Sequence, residues 1–400
     1  MTRDTRIILG VTCGSHLSVH TLMVILPSIF SVLQQEFQMG LDTLGYIVAA
    51  SLFMFGLGAL PAGFLEKRLG SRRLLLVYQL GTVCAVIIII VSHSLPMLIV
   101  GMMVLGIFAS LYHPAGLTLL SRRVKNLSKS LGYHGVAGTS GLALGPLLAV
   151  TFTELLSWRV AFGIMALFNL GLALVTARLI PARTASNQIE EDAQNTNVTN
   201  RPALITYYIL IIFVGFAFAG FTTFMPTHFS LFTANISAFL SEMFRGGLFT
   251  TIVFIGGVSG QIIGGYLGDK YSRPKLLFLL LFLNIPLLIL VGLTTELALI
   301  IVAVIFGTAH FALQPVGNAL IANFTHSRSR GIGYGISFFL SFGVGSIGAA
   351  ACGFIAERFG VQYVFPALGI VLLPTLILAF YIYRLMNRNT FSTDKMIAPK

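Results

Sequence analysis

Charged side chains are scarce in this sequence. Asp, Glu, Lys and Arg make up 10% of its 400 residues, whereas hydrophobic residues make up 56%. A soluble domain carries about a quarter charged residues, so this chain has too few polar groups to cover a folded surface in water. A soluble globular protein is therefore excluded, and we expect the lipid bilayer to surround the chain.

Cysteines are rare and the common catalytic motifs are missing. Cys13, Cys84 and Cys352 lie in apolar stretches, where they cannot build the disulfide framework of a small secreted protein. The sequence has no phosphate-binding glycine loop with its lysine, no Cys/His metal spacing and no nucleophile elbow. We therefore expect neither an enzyme nor a primary pump, and neither a cofactor nor a bound metal ion.

Long uncharged runs dominate what remains. They cover residues 7–35, 43–65, 74–121, 130–153, 160–177, 202–241, 246–268, 276–295, 297–327, 331–356 and 359–383. A helix needs roughly 20 apolar residues to cross a bilayer. The run 74–121 holds two such helices, separated by the polar and proline-containing segment 92–96. The pattern predicts twelve transmembrane helices.

The basic residues are distributed unevenly along this pattern. Of the 25 Lys and Arg residues, 22 lie in alternate connecting segments, leaving Arg159, Arg245 and Arg358 on the other side. This bias follows the positive-inside rule, so the net charge of +12 indicates topology and no nucleic-acid partner. We expect an inner-membrane protein with both termini in the cytoplasm.

The two halves of the sequence repeat one another. Residues 114–116 (PAG) recur as residues 315–317 (PVG), and Ser140 recurs as Ser341 at the same offset. Such an ordered repeat indicates the duplication of a six-helix unit.

The repeat also indicates how the chain is divided. We expect an N-terminal six-helix bundle at 1–180, a polar cytoplasmic linker at 181–203, a C-terminal bundle at 204–386 and a cytoplasmic tail at 387–400. The predicted fold class is an all-α membrane protein with twelve transmembrane helices in two pseudo-symmetric bundles.

Two loops carry a resemblance to the major facilitator superfamily. Residues 63–73 (GFLEKRLGSRR) and 265–273 (GYLGDKYSR) are similar to the signature that this family has after its second helix. The first copy departs from it by placing the acid one position early. The resemblance implies the major facilitator fold and a cytoplasmic gate of opposite charges, and an ordinary basic loop is the alternative. The gate residues would be Glu66, Arg68, Arg72, Asp269, Lys270 and Arg273.

Within this superfamily the sequence looks most like fosmidomycin-resistance-type efflux proteins. The likeness rests on residues 15–20 (SHLSVH) with 25–27 (ILP), and on residues 111–116 (LYHPAG). Relatives often have an acid near the position of His20, which puts their usual proton coupling in doubt here. Residues 141–146 (GLALGP) resemble part of an antiporter motif, with a small-residue packing seam as the equal alternative.

Histidine supplies the ionisable groups that lie deep in the predicted helices. His16 and His20 are four residues apart, so they share one face of the first helix. The resemblance implies that helices 1, 4, 7 and 10 line a central cavity, and the repeat places His113 opposite Gln314. The expected substrate or proton site comprises His16, His20, Tyr112, His113, His310, Gln314 and Asn318. The alternative is that these histidines only bridge helices.

The remaining candidates concern movement. We expect His134 to be a gate or packing group and His228 to lie near water at the outer end of the seventh helix. Proline frees a carbonyl inside a helix and can kink it. Hinges or static bends are expected at Pro27, Pro114, Gly145, Pro146, Pro226 and Pro315.

These features favour a monomeric secondary transporter that exports a small organic molecule by alternating access in exchange for protons. One alternative is an importer or facilitator for an organic anion or metabolite. Another is a receptor without transport that uses the same scaffold.

Overall fold

The computed structural model describes residues 2–124, 127–181, 200–326 and 330–394. Within these ranges it contains twelve helices that are long and apolar enough to cross a membrane, so the predicted number is confirmed. They are α1 Arg3–Ser28, α2 Leu41–Leu69, α3 Ser71–Ile90, α4 Leu95–Arg123, α5 Ser130–Leu155, α6 Trp158–Leu179, α7 Arg201–Phe232, α8 Glu242–Lys270, α9 Arg273–Leu293, α10 Glu296–Phe324, α11 Ile332–Phe359 and α12 Val361–Asn387. A short helix, Phe30–Phe37, connects α1 to α2.

The same pairs of helices pack in both halves. In the first half α1 packs on α5, α2 on α4 and α3 on α6; in the second half α7 packs on α11, α8 on α10 and α9 on α12. Each pair in one half thus has its counterpart six helices later, as a duplicated unit requires. Most of the expected linker at 181–203 lies outside the described residues. The helix of α12 continues to Asp394, into the segment expected to be a tail.

The two sides of the molecule differ in charge. Twelve crossings return the chain to its starting side, so the connections after α2, α4, α6, α8 and α10 share a side with both ends of the chain. These are the segments that hold 22 of the 25 basic residues. We call this the basic side and the other the opposite side.

The loops that follow α2 and α8 turn by different means. Gly70 ends α2 with a φ of 78°, in the left-handed region that favours glycine. At the corresponding turn, Tyr271 and Ser272 have φ values of −121° and −58°, which any residue adopts. The second loop has Ser272 where the first has Gly70, and its backbone does not require a glycine at this position.

Two of the membrane helices are irregular. The helix of α4 is interrupted at Leu111, where Pro114 cannot donate a backbone hydrogen bond to the carbonyl of Ser110. In α11 a π-helical turn, Phe339–Gly343, is followed by a 3₁₀ turn, Val344–Ser346. Discontinuous helices of this kind are common where transporters bind their substrates.

The other predicted hinge positions lie in continuous helix. Pro146, Pro226 and Pro315 lie inside uninterrupted helical segments, and Pro27 lies in the last turn of α1. Pro315 thus leaves α10 unbroken although its repeat partner Pro114 accompanies a break in α4.

The halves meet along two pairs of helices. In the first pair, α2 crosses α11 through glycines. A Cβ atom at Gly45 would overlap the carbonyl of Ala349, and one at Gly56 would overlap the backbone of Gly343. Such contacts between backbones are possible only where side chains are absent.

The second pair is α5 with α8, and hydrogen bonds tie it on the opposite side. Thr251 Oγ1 donates to the carbonyl of Ala143 over 2.8 Å, and Ser241 donates to the carboxylate of Glu154. On the same side, the backbone N–H of Leu41 donates to Glu357 Oε2 over 2.7 Å. These contacts hold the two halves together away from the basic side.

Candidate functional site

A cavity lies between the two halves. Its empty volume is about 970 Å³, including the part open to solvent, and α1, α5, α7, α10 and α11 contribute most of its wall. Tyr207, Asn318 and Ser337 belong to this wall, and each lies within about two turns of the basic end of its helix. The cavity therefore extends toward the basic side.

Five of the seven residues predicted to form the substrate or proton site line this cavity. They are His16, His20, His310, Gln314 and Asn318. The rest of the wall is largely apolar and includes Phe218, Phe311 and Phe342. A small number of polar groups in an apolar cavity is typical of sites that bind small organic molecules.

His310 is held by a residue that the sequence did not single out. Its Nδ1 lies 3.0 Å from Asn284 Oδ1, and Asn284 Nδ2 donates to the carbonyl of Leu280 over 2.7 Å. Because the amide oxygen of Asn284 only accepts, His310 Nδ1 carries the proton of the neutral ring. Nε2 is then the nitrogen that can exchange a proton with the cavity. A periodicity argument gives no reason to choose Asn284, which lies on α9.

The two histidines of α1 form a cluster with two more from α4 and α5. The Nε2 atoms of His16 and His20 are 3.2 Å apart, and His16 Nδ1 lies 2.6 Å from the carbonyl oxygen of His134. The ring of His16 stacks on that of His134 at 4.0 Å and meets that of His113 edge-on at 5.1 Å. Gly138 permits this packing, since a Cβ atom there would overlap the His16 ring.

The sequence interpretation of His134 was incomplete. His134 Nε2 lies 2.6 Å from the hydroxyl of Tyr112, which itself donates to the carbonyl of Thr12 over 2.6 Å. His134 is therefore part of the histidine cluster. Its position in sequence placed it near the basic end of α5, but the crossing of α1 and α5 brings it against His16.

Tyr112 and His113 do not line the cavity that His16 and His20 line. Tyr112 is fully buried, and His113 is 6% exposed and packs against Phe55 and Phe338 at ring distances of 5.7 Å and 4.7 Å. The expectation that His113 faces Gln314 across the pseudo-two-fold axis was wrong. His113 packs against His16 and His20 of the first half and against Phe338 of the second, whereas Gln314 is bonded to Gln261, so the two equivalent positions have different neighbours.

Gln314 instead belongs to a bridge between the halves. Gln261 donates through Nε2 to Gln314 Oε1 and also to Thr139 Oγ1, the latter over 3.1 Å. Gln261 is on α8 and Thr139 on α5, so this bridge crosses the wall of the cavity. Neither residue was predicted. Next to it, the carbonyl of Asn318 accepts a hydrogen bond from Tyr334 over 3.0 Å.

The predicted gate charges are paired within each half. Glu66 is buried and accepts hydrogen bonds from Ser71 Oγ at 2.7 Å and from Arg122 Nη1 at 3.1 Å, which ties α2 to α3 and α4. Arg72 donates to the carbonyl of Ala177 on α6 over 2.7 Å. The partner of Glu66 is thus Arg122, which was not among the predicted gate residues. Arg122 was overlooked because it lies 56 residues away in the sequence.

The second copy of the loop has weaker pairs. Asp269, near the end of α8, lies 3.5 Å from Arg273 at the start of α9, and Arg273 also donates to Asn323 Oδ1 on α10 over 3.3 Å. Lys270 lies over the ring of Tyr271 at 5.5 Å. Both loops thus link the start of the third helix of their half to the end of the fourth. A role of these residues in gating stays a prediction.

The glycine-rich part of α5 packs tightly on α1. Cβ atoms at Gly141 and Gly145 would overlap the backbone carbonyls of Leu17 and Thr21, respectively. This geometry supports the packing-seam interpretation of residues 141–146.

His228 is not near water, contrary to the expectation. It is 1% exposed, lies between Phe232 and Phe365, and its Nε2 is 2.9 Å from the carbonyl of Val291 on α9. This histidine bridges helices inside the C-terminal bundle. Hydropathy placed it correctly along α7 but could not give the side to which it points.

Comparison with known protein families settles the assignment of this architecture. The family model of the Major Facilitator Superfamily matches residues 9–245 and 229–394. The chain belongs to the Major Facilitator Superfamily. It is therefore a membrane transporter rather than an enzyme, as the sequence predicted.

This major facilitator protein is similar to efflux proteins. It is 22% identical over 377 residues to the fosmidomycin resistance protein of Escherichia coli strain K12, covering 90% of this chain and 88% of the relative. It is 24% identical over 265 residues to a probable sugar efflux transporter of Helicobacter pylori strain G27. That match spans 66% of either protein, just under two thirds of the Helicobacter transporter.

The fold of the transporter is shared with solved structures. A bacterial homolog of the human lysosomal transporter Spinster, in an inward-facing and occupied conformation, superposes with a TM-score of 0.76 at 14% sequence identity. The superposition covers 96% of this chain and 98% of that protein. At this identity the likeness establishes the fold alone.

Proposed function

We propose that this protein exports a small amphiphilic organic molecule across the inner membrane in exchange for protons. The observation that supports this proposal is a cavity between the two halves that combines aromatic walls with three histidines, a glutamine and an asparagine. The similarity to a fosmidomycin resistance protein and to a probable sugar efflux transporter favours efflux.

The mechanism follows from where the halves touch. By the positive-inside rule we take the basic side as the cytoplasmic side. The cavity then opens inward, while the contacts α2–α11 and α5–α8 close the outward path. Export requires the Thr251–Ala143, Ser241–Glu154 and Leu41–Glu357 hydrogen bonds to break as the halves rock.

His310 is our proposed proton carrier. Its ring lines the cavity, and the hydrogen bond to Asn284 holds Nδ1. The other nitrogen, Nε2, can therefore bind a proton, and the incoming substrate would displace that proton. The substrate would rest on Phe218 and Phe311 while Gln314 and Asn318 orient its polar groups.

Proton movement in inverted vesicles tests this function. Vesicles that hold a stable pH gradient are challenged with antibiotics, sugars and organic acids, and we expect one of these classes to collapse the gradient. In the H310Q variant the rate at which the substrate collapses the pH gradient should fall at least tenfold. Glutamine can still form a hydrogen bond, but its side chain cannot bind and release a proton near neutral pH. H228Q is the matched control, since His228 is a buried histidine of the same half outside the cavity.

Two outcomes contradict the proposal. Equal collapse in wild type and H310Q removes His310 from the coupling. Flux of a labelled compound that ignores an imposed pH gradient identifies a facilitator or importer instead, and saturable binding without any flux identifies a receptor.

A further inference from the structure

Three buried histidines form a second kind of site at the edge of the cavity. His16, His20 and His113 each place a ring nitrogen so that the three atoms lie within 4.8 Å of one another. Two imidazole nitrogens on a tetrahedral metal ion are about 3.3 Å apart, given metal–nitrogen bonds of about 2.0–2.1 Å. The His16–His20 separation of 3.2 Å matches this spacing. The ring nitrogen of His113 lies no more than 4.8 Å from the other two, so a movement of up to about 1.5 Å would complete the site.

The tautomer of His16 suits a metal ligand. Its Nδ1 lies 2.6 Å from the carbonyl oxygen of His134, which only accepts, so Nδ1 carries the proton and Nε2 presents a lone pair. Histidines that bind metals commonly donate their other ring N–H to a backbone carbonyl in this way. His134 is held in turn by Tyr112, so the support of the ligand is itself fixed.

The cluster also contains polar atoms whose bonding is incomplete. His20 Nδ1 and His113 Nδ1 are buried and have no hydrogen-bond partner within the described residues. Buried nitrogens are nearly always paired, so hydrogen bonds leave this cluster incompletely satisfied, although His228 Nδ1, which lies outside the cluster, is unpaired in the same way. Packing alone gives no reason for three histidines to share one apolar pocket.

We propose that His16, His20 and His113 bind a divalent transition-metal ion such as Zn²⁺, Co²⁺ or Ni²⁺. Imidazole is a preferred ligand of these ions, whereas Mg²⁺ and Ca²⁺ prefer oxygen. Since His16 and His20 line the cavity, the ion can enter from it. The inference revises the expectation from sequence that no metal is bound, which rested on the absence of a local Cys/His spacing.

The charge of the site indicates what completes it. Three neutral imidazoles leave the ion with two positive charges, and the described cluster contains no acidic side chain. Such a charge is costly at membrane depth, so the fourth coordination position should take an anionic donor from the cavity. This second step rests on the proposed transport function, and it predicts a cargo that carries a carboxylate or a similar anionic group.

Cobalt binding to the purified full-length protein tests the inference without any transport. Four-coordinate Co²⁺ has strong visible absorption, and we expect one Co²⁺ per chain that Zn²⁺ displaces. H16Q, H20Q and H113Q should each weaken binding at least tenfold, whereas H228Q should bind like wild type. Acetate or azide should shift the spectrum by occupying the fourth position.

Several outcomes would overturn the inference. They are the absence of saturable binding in wild type, the weak absorption of six-coordinate Co²⁺, and unchanged affinity in H16Q and H113Q. A spectrum that ignores both anions would remove the open fourth position.

Thermal unfolding of the wild type guards against variants that simply fail to fold. A ligand that binds only the folded state raises the melting temperature, so Zn²⁺ should stabilise wild type and H228Q but not the cluster variants. No Zn²⁺ stabilisation of wild type would count against the site. Metal binding without proton-coupled flux would support this inference and reject the proposed function. Proton-coupled flux without metal binding would support the proposed function and reject this inference.

Discussion

Individual polar side chains in this protein connect neighbouring membrane helices through hydrogen bonds. Several histidines deep in the membrane helices are hydrogen-bonded to another helix, as with His310 and Asn284 or His228 and Val291. Ring nitrogens need such partners because lipid offers none. The same side chains are therefore candidates both for stability and for function, and only their access to the cavity separates the two roles.

Tyr112 gives a direct test of the support under the histidine cluster. Replacing it with Phe leaves the Thr12 carbonyl and His134 Nε2 without their shared hydroxyl. An unsatisfied buried group costs about 1–3 kcal/mol, so Y112F should lower the melting temperature of the purified protein. Y266F is the control, because Tyr266 is exposed. Equal melting temperatures for the two variants would show that the hydroxyl contributes nothing.

At the scale of elements, the connections on the opposite side are fixed by one ionic cluster. Arg159 at the start of α6 pairs with Glu36 of the short helix at 2.5 Å and donates to the carbonyls of Ile90 and Ser92. Trp158 Nε1 adds a bond of 2.7 Å to Glu36. Three separate connections of the first half thus converge on a single arginine.

The Glu36 carboxyl should make stability depend on pH. Hydrogen bonds from Arg159 lower its pKa below the ordinary value of 4.5. A lowered folded-state pKa stabilises the protein above the unfolded pKa, and this stabilisation is lost as the pH falls through the folded pKa. The melting temperature of wild type should exceed that of E36Q at pH 7, by an amount equivalent to about 1 kcal/mol or less for a partly exposed pair.

The difference between wild type and E36Q should shrink as the pH is lowered below about 4.5, and high salt should reduce it at neutral pH. A difference that stays constant from pH 7 to pH 4 would contradict the assignment of the pKa shift to this pair.

The crossing of α2 and α11 is the element contact most sensitive to a side chain. At Gly56 a valine would collide with the backbone of Gly343, beside the π-helical turn. Overpacking costs about 1–3 kcal/mol. In G56V this cost would destabilise the conformation in which α2 and α11 are in contact. We expect G56V to lower the transport rate at least tenfold with normal amounts of protein in the membrane.

Gly63 on the same helix provides the control for that experiment. A Cβ atom there meets nothing within 4 Å, so G63V should transport like wild type. A wild-type rate in G56V would mean that the crossing opens without cost.

For the whole molecule, alternating access predicts that the halves must separate on the opposite side. We replace Glu154 and Ser241 with cysteine and join the two thiols by a short cleavable cross-linker. This cross-link should stop transport. Cleaving the linker should restore it. The matched pair at Glu36 and Arg159 lies within one half, and its cross-linking should leave transport intact. Continued transport by the first cross-linked pair would exclude a rocking of the two halves.

The sequence by itself determined the number of helices, the concentration of basic residues on one side and the twofold repeat. These properties follow from local composition, since the bilayer requires long apolar helices and the basic residues mark one side. Five of the polar residues chosen from the sequence line the cavity, because the resemblance to the major facilitator superfamily implied which helices surround it.

Only the tertiary structure decided which side chains meet. In the structure Glu66 pairs with Arg122, and His134 packs on His16. Asn284 bonds to His310 and Gln261 bonds to Gln314. His113 packs on Phe338 instead of meeting Gln314. Partners of this kind lie tens of residues apart on different helices. Helical periodicity gives the face on which a residue lies, but the rotation and crossing of whole helices give its neighbours.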